Sequence, residues 1–459
     1  MASSLFLLFF ISLISLLFVE TLSDDTGAVK LPLRQFHAGS TPPPSKEWRL
    51  RLAGIASASL VRARHLKNPE YAPLPLYPHS YGGYSVSLEF GTPPQKTDLI
   101  MDTGSHLVWI PCTRKYLCRN CSFPGTHNGI TPFIPKSSSS SKIIGCKNPK
   151  CGWIHSPEFL SGCRSCSSGN CTQICPPYFI LYGSGSTGGL LLSETLRLRG
   201  KGIPNFAVGC SVVSSRQPAG VAGLGRGSPS LPAQLGAKRF SYCMASHRFD
   251  DNPRGAGALV LNGEEKGNFS YTPLVKNPAT GKPTFGVFYY VALRKISVGG
   301  KSVKVPYEHL RPGPDGNGGT IVDSGTTFTY MSAPLLDAVA REFETQVSGK
   351  HPRASTVESE TGLRPCFVFP VKSKSPVAPP ELTLHFKGGA KMRLPAANYF
   401  SFVGDSVICL TIVSDGVEGS VQSDGPSIIL GNYQQQNFLI EYDLEKERFG
   451  FREQRCQES

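Results

Sequence analysis

After Val19 the chain has no apolar run long enough to cross a bilayer, and it has no block of Lys and Arg interleaved with aromatic residues. It also lacks a Gly-x-Ser-x-Gly sequence, and the glycine-rich stretch 183–188 has no Lys and no helical pattern after it. These absences argue against a membrane span in the mature protein, a nucleic-acid partner, a serine hydrolase and a phosphate-binding loop. We interpret the net charge of +14 as a solvated basic surface, with affinity for an acidic polysaccharide or a membrane face as the alternative.

The longest apolar run lies at the N-terminus, from Leu5 to Val19. Small residues suited to cleavage follow it up to Ser23, and this pattern is typical of a secretory signal peptide. We therefore assign residues 1–23 to a signal peptide, with an uncleaved signal anchor as the alternative. The mature protein is expected to be soluble and to enter the secretory pathway.

The chain has fourteen cysteines, and most of them lie in a segment from Cys112 to Cys175. An even number behind a signal peptide predicts disulfides, whose pairing within 112–175 the sequence leaves open. Two Cys-x-x-Cys pairs, 118/121 and 163/166, leave a zinc ribbon as the alternative. Secretion also makes the three Asn-x-Ser/Thr sequons candidate glycan sites, at Asn120, Asn170 and Asn268.

Residues 24–80 differ from the rest of the chain because they are rich in proline and contain no cysteine. A basic helix is predicted within them, from Trp48 to Lys67. We interpret the segment as a propeptide with an uncertain boundary, and a flexible extension without a regulatory role is the alternative.

From Tyr81 onward, short β-prone runs alternate with Gly and Pro, which predicts a mostly-β protein. Pro334 to Val347 is the best helix candidate, since its apolar residues fall on one face. The Ser137–Ser141 run is predicted to be a flexible exposed loop. Strands are predicted at Tyr84–Phe90, Tyr178–Leu181, Gly189–Leu198, Phe240–Cys243, Ala258–Leu261, Phe288–Val298, Leu382–Phe386 and Val407–Ile412.

A distant internal repeat is the most informative feature. Leu99-Ile-Met-Asp-Thr-Gly-Ser105 matches Thr320-Ile-Val-Asp-Ser-Gly-Thr326, and each copy is followed far downstream by two apolar residues and a glycine. Those downstream sequences are Val221-Ala-Gly223 and Ile429-Leu-Gly431. The same order in both halves indicates a duplicated lobe.

The repeated sequence has a chemical purpose if its two aspartates, Asp102 and Asp323, face each other. Two close carboxylates cannot easily both ionise, so they share a proton and titrate as a pair. The ionised one would activate water and the protonated one would polarise a peptide carbonyl, which requires no metal and no cofactor. The glycines would let backbone N–H groups reach the carboxylates, and the hydroxyls would orient the carboxylates and the opposing loop. These supporting residues are Thr103, Gly104, Ser105, Ser324, Gly325 and Thr326.

From about Tyr81 to Cys456 the chain resembles the pepsin family, and within it the plant nepenthesin-like branch. The resemblance rests on six segments: Asp102-Thr-Gly-Ser-His-Leu-Val-Trp-Ile-Pro-Cys112, Tyr182-Gly-Ser-Gly-Ser-Thr-Gly188, Gly220-Val-Ala-Gly-Leu-Gly-Arg-Gly227, Phe240-Ser-Tyr-Cys243, Asp323-Ser-Gly-Thr-Thr-Phe-Thr-Tyr330 and Ile429-Leu-Gly-Asn-Tyr-Gln-Gln-Gln436.

This resemblance implies a bilobal acid protease fold, with one lobe over 81–268, a Cys-rich insert at 112–175, and a second lobe over 269–459. It implies that Tyr182 and Gly183 lie on a flap over the cleft, with Tyr182 hydrogen-bonded to Trp109. It further implies the disulfides Cys366–Cys409 and Cys243–Cys456.

The activity implied is that of an aspartic endopeptidase, working at acid pH as a monomer on protein or peptide substrates, with hydrophobic residues flanking the cut. The extracellular space or cell wall is the expected location, and a vacuole is the alternative. We also expect residues 24–80 to lie over the cleft and inhibit it through their basic side chains.

Two departures from the family pattern are His106, where an Asp or a small polar residue is commoner, and Ser184, where many plant relatives carry an Asp. His106 is predicted to be a surface loop residue, and either change can alter cleft preference or pH profile. The main rival function is a catalytically silent inhibitor on the same fold, similar to xylanase inhibitors. A basic cell-wall structural glycoprotein is a second rival, but it does not explain the repeat.

Overall fold

The computed structural model describes residues 29–35, 49, 52–60, 62, 83–121, 130–165, 173–182, 185–198, 200–217, 219–246, 257–263, 267–279, 283–369, 378–404, 406–415 and 425–456. β-Strands are the predominant regular secondary structure of these residues, which confirms the prediction of a mostly-β protein. The proposed signal peptide, the sequon at Asn170 and the flap residues Gly183 and Ser184 lie outside the described residues.

The strands are mostly short, as expected where Gly and Pro interrupt the β-prone runs. In chain order they are β1 Val29–Gln35, β2 Tyr84–Phe90, β3 Gln95–Asp102, β4 Trp109–Pro111, β5 Leu117–Arg119, β6 Lys142–Ile143, β7 Tyr178–Leu181, β8 Ser186–Leu198, β9 Lys201–Ser215, β10 Gly220–Gly223, β11 Arg239–Met244, β12 Gly257–Leu261, β13 Ser270–Val275, β14 Tyr290–Val291, β15 Leu293–Val298, β16 Lys301–Ser302, β17 Thr320–Val322, β18 Thr329–Met331, β19 Cys366–Val368, β20 Leu382–Phe386, β21 Lys391–Leu394, β22 Phe400–Phe402, β23 Val407–Leu410, β24 Ile412–Val413, β25 Ile428–Leu430, β26 Phe438–Asp443 and β27 Arg448–Glu453.

Helices are few in the described part of the chain. The first, α1, covers residues 52–60, with residues 49 and 62 also helical. The others are α2 Leu231–Gln234, α3 Ala333–Val347 and α4 Ser355–Thr361. The helix predicted over Pro334–Val347 is thus confirmed, and its apolar face (Leu335, Leu336, Val339, Ala340, Phe343) is buried as its spacing requires. The described residues also form six 3₁₀ turns, at Pro135–Ser137, Pro149–Trp153, Phe159–Ser165, Pro283–Val287, Tyr307–Leu310 and Ala396–Asn398.

The two copies of the sequence repeat form matching cores in the two halves of the chain. In the first half, β3 pairs in parallel with β10, so that Asp102 lies opposite Gly223. In the second half, β17 pairs in parallel with β25, and Val322 lies opposite Leu430. Each downstream apolar-apolar-Gly sequence is therefore the strand beside its own Asp-containing strand. This arrangement explains why the repeat consists of two separated pieces.

A six-stranded antiparallel sheet joins the halves, in the order β1–β12–β11–β26–β27–β13. Its central contact pairs β11 from the first half with β26 from the second, with Tyr242 opposite Ile440. The buried apolar core runs continuously through this sheet into both halves. The protein is therefore bilobal, with a cleft above the joining sheet.

The N-terminal segment is integrated into the body rather than separate from it. Its strand β1 pairs with β12 in the joining sheet and with β2 in the first lobe. Leu52, Ile55 and Ala56 on α1 are buried in an apolar cluster of the second lobe that includes Phe288 and Phe328. The segment therefore contacts both lobes.

Six disulfides lie within the described residues, where no cysteine is free. Cys243–Cys456 and Cys366–Cys409 are the two pairings that the resemblance implies. In the insert the pairs are Cys112–Cys210, Cys118–Cys121, Cys146–Cys163 and Cys151–Cys175. The zinc alternative fails for both Cys-x-x-Cys pairs, because Cys118 bonds to Cys121 and Cys163 bonds to Cys146.

The prediction of a flexible exposed loop at Ser137–Ser141 is wrong. Ser138 is buried, and its hydroxyl accepts a hydrogen bond from the Thr92 N–H at 3.0 Å. Ser140 donates to the Glu194 carboxylate and contacts the Thr92 hydroxyl at 3.1 Å. The serines therefore anchor the insert to the β2–β3 turn. No helix in the described part of the chain has the length and apolarity needed to cross a membrane.

Candidate active site

Asp102 and Asp323 lie at the bottom of the cleft, each at the end of a buried parallel strand pair. Asp102 is 2% exposed and Asp323 is 0% exposed. Each carboxylate accepts the same two hydrogen bonds from its own loop. Asp102 accepts from the Gly104 N–H at 2.9 Å and the Ser105 hydroxyl at 2.6 Å. Asp323 accepts from the Gly325 N–H at 2.9 Å and the Thr326 hydroxyl at 2.6 Å.

The two aspartate loops are tied together by hydrogen bonds that cross between the lobes. The Thr103 N–H donates to the Ser324 hydroxyl at 3.0 Å, and the Ser324 N–H donates to the Thr103 hydroxyl at 2.9 Å. Each hydroxyl then donates onward to the opposite strand, from Thr103 to the Val322 carbonyl and from Ser324 to the Met101 carbonyl. All four groups are buried, so this reciprocal arrangement leaves none of them without a partner.

Gly104 and Gly325 are needed for the close approach of the loops. A Cβ atom on Gly104 would lie 2.7 Å from Asp323 Oδ1, and one on Gly325 would lie 2.4 Å from Asp102 Oδ1. Both distances are too short for a carbon–oxygen contact. Because neither glycine has a Cβ, each loop leaves room for the carboxylate of the opposite loop. The two aspartates therefore lie face to face.

The flap lies above this pair. Tyr182 follows β7 and is 5% exposed, and its hydroxyl accepts a hydrogen bond from Trp109 Nε1 at 2.8 Å. The two rings are 6.4 Å apart at an angle of 36°. Tyr182 and Trp109 therefore occupy the relation that the resemblance implies.

Arg62, from the N-terminal segment, occupies the space between flap and carboxylates. Its Nη2 donates to both Asp102 oxygens, at 2.7 and 2.9 Å, and its Nε lies 3.3 Å from Asp323 Oδ2. Its guanidinium carbon lies 5.8 Å from the Tyr182 ring centre. One side chain of the N-terminal segment thus bridges both aspartates beneath the flap.

The environment separates the pKa values of the two carboxyls. Burial alone would raise the pKa of Asp102, but Arg62, followed by the Ser105 and Asp323 hydrogen bonds, holds it below its usual range. Burial raises the pKa of Asp323, and the charge of Asp102 adds to this effect while Arg62 opposes it. The arrangement therefore favours an ionised Asp102 and a proton on Asp323.

His106 is half-buried beside the dyad, so the prediction of a surface loop residue is wrong. Its Nδ1 is inaccessible and has no hydrogen-bond partner, and a Cβ on Gly227 would lie 2.9 Å from the ring. Burial lowers the pKa of His106 to about 4, although Asp102 opposes this shift. Of the sequons, Asn120 and Asn268 are exposed.

Two family models match most of the chain. The model described as xylanase inhibitor N-terminal matches residues 84–262, and the model described as xylanase inhibitor C-terminal matches residues 288–453. A probable aspartyl protease of Arabidopsis thaliana is 35% identical over 426 residues, which span 81% of this chain and 82% of that protein. Aspartic proteinase nepenthesin-2 of Nepenthes gracilis is 33% identical over 406 residues, spanning 87% and 82%.

The chain belongs to the pepsin-like family of plant aspartic proteases. A likeness to the crystal structure of basic 7S globulin from soybean agrees with this fold, with a TM-score of 0.62 at 18% identity over 94% of this chain and 98% of that one. Because that identity is low, it supports the bilobal architecture alone. The family membership rests on the protease relatives.

Sequence reasoning missed two parts of this site. Arg62 was one of five basic residues on the predicted propeptide helix, and no pattern distinguished it from Arg49 or Arg64. The second part is the buried floor, where the Tyr242 hydroxyl donates to Gln435 Oε1 at 2.5 Å and lies 3.2 Å from the Tyr442 hydroxyl. Tyr242 lies on β11, whereas Gln435 and Tyr442 lie just before and on β26, and the pairing of β11 with β26 brings the two segments together.

Proposed function

We propose that the protein is an aspartic endopeptidase that cleaves peptide bonds with a water activated between Asp102 and Asp323. The observation that carries this proposal is the pair of buried carboxylates, each with the same two donors and joined by reciprocal hydrogen bonds. Two turns with a purely structural role would not require two glycines, each of which leaves room for the carboxylate of the opposite loop.

The geometry supports a division of roles between the aspartates. Ionised Asp102 takes a proton from the attacking water, while protonated Asp323 donates a hydrogen bond to the peptide carbonyl oxygen. The water oxygen bonds to the carbonyl carbon, and the C–N bond then breaks as a proton passes from the dyad to the leaving amine. Ser105 and Thr326 hold the carboxylates in the orientation for both steps.

We further propose that the described form is a latent precursor, which rests on the proposed activity. Arg62 occupies the position where water and the substrate carbonyl would meet. Only about 40 Å³ remains free between α1, the dyad and the flap, which holds a few water molecules but no peptide. Ser59 strengthens the docking by accepting the Phe328 N–H at 2.9 Å.

The activity is tested by hydrolysis of a denatured, dye-labelled protein at acid pH by the full-length chain. Asp102→Asn and Asp323→Asn should each lower the rate by at least about 10²–10⁴-fold, since each removes the acid or base. Asp337→Asn, which alters a half-buried ion pair with Arg364, is the matched control and should leave the rate unchanged. Retained hydrolysis in either dyad variant would refute the mechanism.

An inhibitor function is the second candidate, because both matching family models are described as parts of a xylanase inhibitor. It predicts no hydrolysis at any pH after removal of residues 24–80, and loss of xylanase activity on addition of the protein. We favour the protease because both aspartates, their donors and the flap tyrosine are in place.

The remaining attributes of the proposal follow from the sequence and the family. They are secretion after cleavage near residue 23, a propeptide ending near residue 80, lobes over 81–268 and 269–459, glycans on the sequons, an acidic pH optimum and a preference for hydrophobic residues around the cut. We place the monomeric protein in the extracellular space or cell wall rather than a vacuole. Mass spectrometry of the secreted protein tests the cleavage points and glycans, and a pH optimum above neutrality would contradict the acid mechanism.

A further inference from the structure

A basic surface lies on the outside of the second lobe, away from the catalytic cleft. It is centred on an open cavity of about 560 Å³. The cavity is lined by three cationic side chains, by the Tyr307 ring and by no carboxylate: its charged residues are Arg294, Lys295 and Lys304. We name this feature the basic cavity. Such a concentration of one charge without a counter-charge favours an anionic ligand.

A β-bulge builds the basic cavity. Leu293 pairs with Phe386 and Lys295 pairs with His385, so Arg294 is the extra residue between them. In a regular strand, Arg294 and Lys295 would point to opposite faces of the sheet. Here both are exposed, while Leu293 and Ile296 on either side are buried. The bulge therefore turns two consecutive cations toward solvent.

The cationic surface continues across the neighbouring strands. Lys295 on β15 lies opposite His385 on β20, which lies opposite Lys391 on β21. Directly opposed residues on adjacent strands share a face, so Lys295, His385 and Lys391 lie in a row on one face of the sheet. Burial lowers the pKa of His385, and Lys295, Lys391 and Arg393 lower it further, while Glu381 opposes the shift. The imidazole is therefore neutral at pH 7, and the two exposed lysines flank it as cations open to an anionic ligand.

Few carboxylates balance these cations. Glu381 lies 3.9 Å from Arg393, and Glu342 lies 4.0 Å from Lys301. Within the described residues, no carboxylate pairs with any of Arg294, Lys295, Lys304 or Lys391.

We propose that the basic cavity and the adjoining row bind an acidic polysaccharide, with uronate carboxylates on the cations and a sugar ring against Tyr307. Tyr307 is 44% exposed, and Arg294 donates a hydrogen bond to its hydroxyl, which fixes the ring at the cavity edge. Adjacent strands are about 4.8 Å apart, so Lys295 and Lys391, on the two strands beside β20, present positive charges roughly 10 Å apart on one face. Arginine also suits carboxylate groups because it can donate two parallel hydrogen bonds.

The surroundings favour a polysaccharide over a membrane or a nucleic acid. In the described part of the second lobe, the exposed large hydrophobic residues are only Tyr307 and Phe402. This part of the surface therefore has no apolar patch that could insert into a bilayer. A single-stranded nucleic acid needs several exposed aromatic side chains on which its bases can stack. The lining of the basic cavity offers only the Tyr307 ring, which argues against this ligand. Binding here leaves the catalytic cleft open, because no cleft residue lines the basic cavity.

The test measures binding of the full-length chain to polygalacturonate and to its fully methyl-esterified form, at low and at physiological ionic strength. The triple variant Arg294→Gln/Lys295→Gln/Lys304→Gln should lose about tenfold or more in affinity for polygalacturonate. The control Arg114→Gln/Lys115→Gln/Lys142→Gln removes the same charge from exposed sites of the first lobe and should lose at most about twofold. Tyr307→Ala should weaken binding without changing the net charge.

Thermal midpoints should be unchanged in all these variants, which separates lost binding from misfolding. Equal losses in the triple variant and its control would reduce the effect to net charge and overturn the proposal. So would equal affinity for the esterified polymer, or binding to vesicles of phosphatidylserine and phosphatidylcholine without binding to polygalacturonate.

Discussion

At the scale of single residues, the catalytic loops depend on hydrogen bonds between two segments far apart in the chain. Thr103 and Ser324 exchange backbone and side-chain bonds, and both are fully buried. Asn432 supports the second loop, since its Nδ2 donates to the Ser324 carbonyl at 3.0 Å and its N–H donates to the Thr326 carbonyl at 2.7 Å. In the first loop, the Leu224 N–H donates to the Asp102 carbonyl at 2.8 Å. Both loops are therefore held by residues far along the chain.

Ser324→Ala should lower the free energy of unfolding by about 1–3 kcal/mol, because it leaves the buried Thr103 N–H without an acceptor. The measurement is a denaturant titration of the full-length chain. Ser359→Ala removes an exposed hydroxyl that donates to the Ser355 carbonyl, and it should have little effect. Equal stability of the two variants would show that the crossed bonds do not hold the lobes together.

The residue types at the dyad could be predicted from the sequence, because Asp, Gly and a hydroxyl at fixed spacing have one shared chemical purpose. Arg62 could not, because its partners depend on where α1 docks. The error at His106 has a similar cause. Its burial comes from Gly227, a residue far along the chain whose missing Cβ leaves room for the ring.

At the scale of elements, the strands and the helix α3 followed from local periodicity. The bounds of α3 differ from the prediction by one residue, Ala333 in place of Pro334. The serine run was misjudged because a polar composition indicates solvent exposure, whereas these hydroxyls bond to the half-buried Thr92 and to the carboxylate of Glu194. The strand β1 was not predicted, since its pairing partners β2 and β12 decide its conformation.

Two kinds of interaction hold helix α1 against the second lobe. Leu52 and Ile55 are completely buried in the second lobe, and Arg49 pairs with Glu360 at 2.9 Å on the exposed side. Burial of two such side chains contributes about 3–6 kcal/mol to docking. The exposed Arg49 pair contributes little by comparison. Apolar contacts therefore hold α1 against the second lobe, and Arg62 places a positive charge beside the carboxylates of Asp102 and Asp323.

At the scale of the whole molecule, disulfides fix the ends of the fold. Cys243–Cys456 links β11 to the C-terminal residues across 213 positions, whereas Cys118–Cys121 closes a loop of 3. A bond that closes a long loop removes more entropy from the unfolded chain.

The double variant Cys243→Ser/Cys456→Ser should therefore lose about 2–5 kcal/mol of stability, with a clear drop in thermal midpoint. Cys118→Ser/Cys121→Ser is the matched control and should lose much less. Calorimetry of both variants measures the difference. A larger loss in the control would mean that the insert, and not the link between β11 and the C-terminus, limits stability.

The response of the whole molecule to acid follows from the dyad. The folded-state pKa of Asp102 is lowered, so its ion pair with Arg62 stabilises the folded chain above the pKa of an unfolded Asp, and this stabilisation is lost as pH falls through the folded value. The pKa of Asp323 is raised, so it takes up its proton first on acidification. Release of Arg62 should therefore be complete only once Asp102 is also protonated.

The most direct test of latency measures hydrolysis of a dye-labelled, denatured protein by the intact chain as pH is lowered. We predict that Arg62→Gln becomes active at a higher pH than wild type, because no cation then bridges the two carboxylates and excludes the attacking water. Arg49→Gln, on the same helix, should behave as wild type, and Arg62→Gln/Asp102→Asn should be inactive throughout. Activation of Arg62→Gln at the wild-type pH, or hydrolysis by the double variant, would contradict the account.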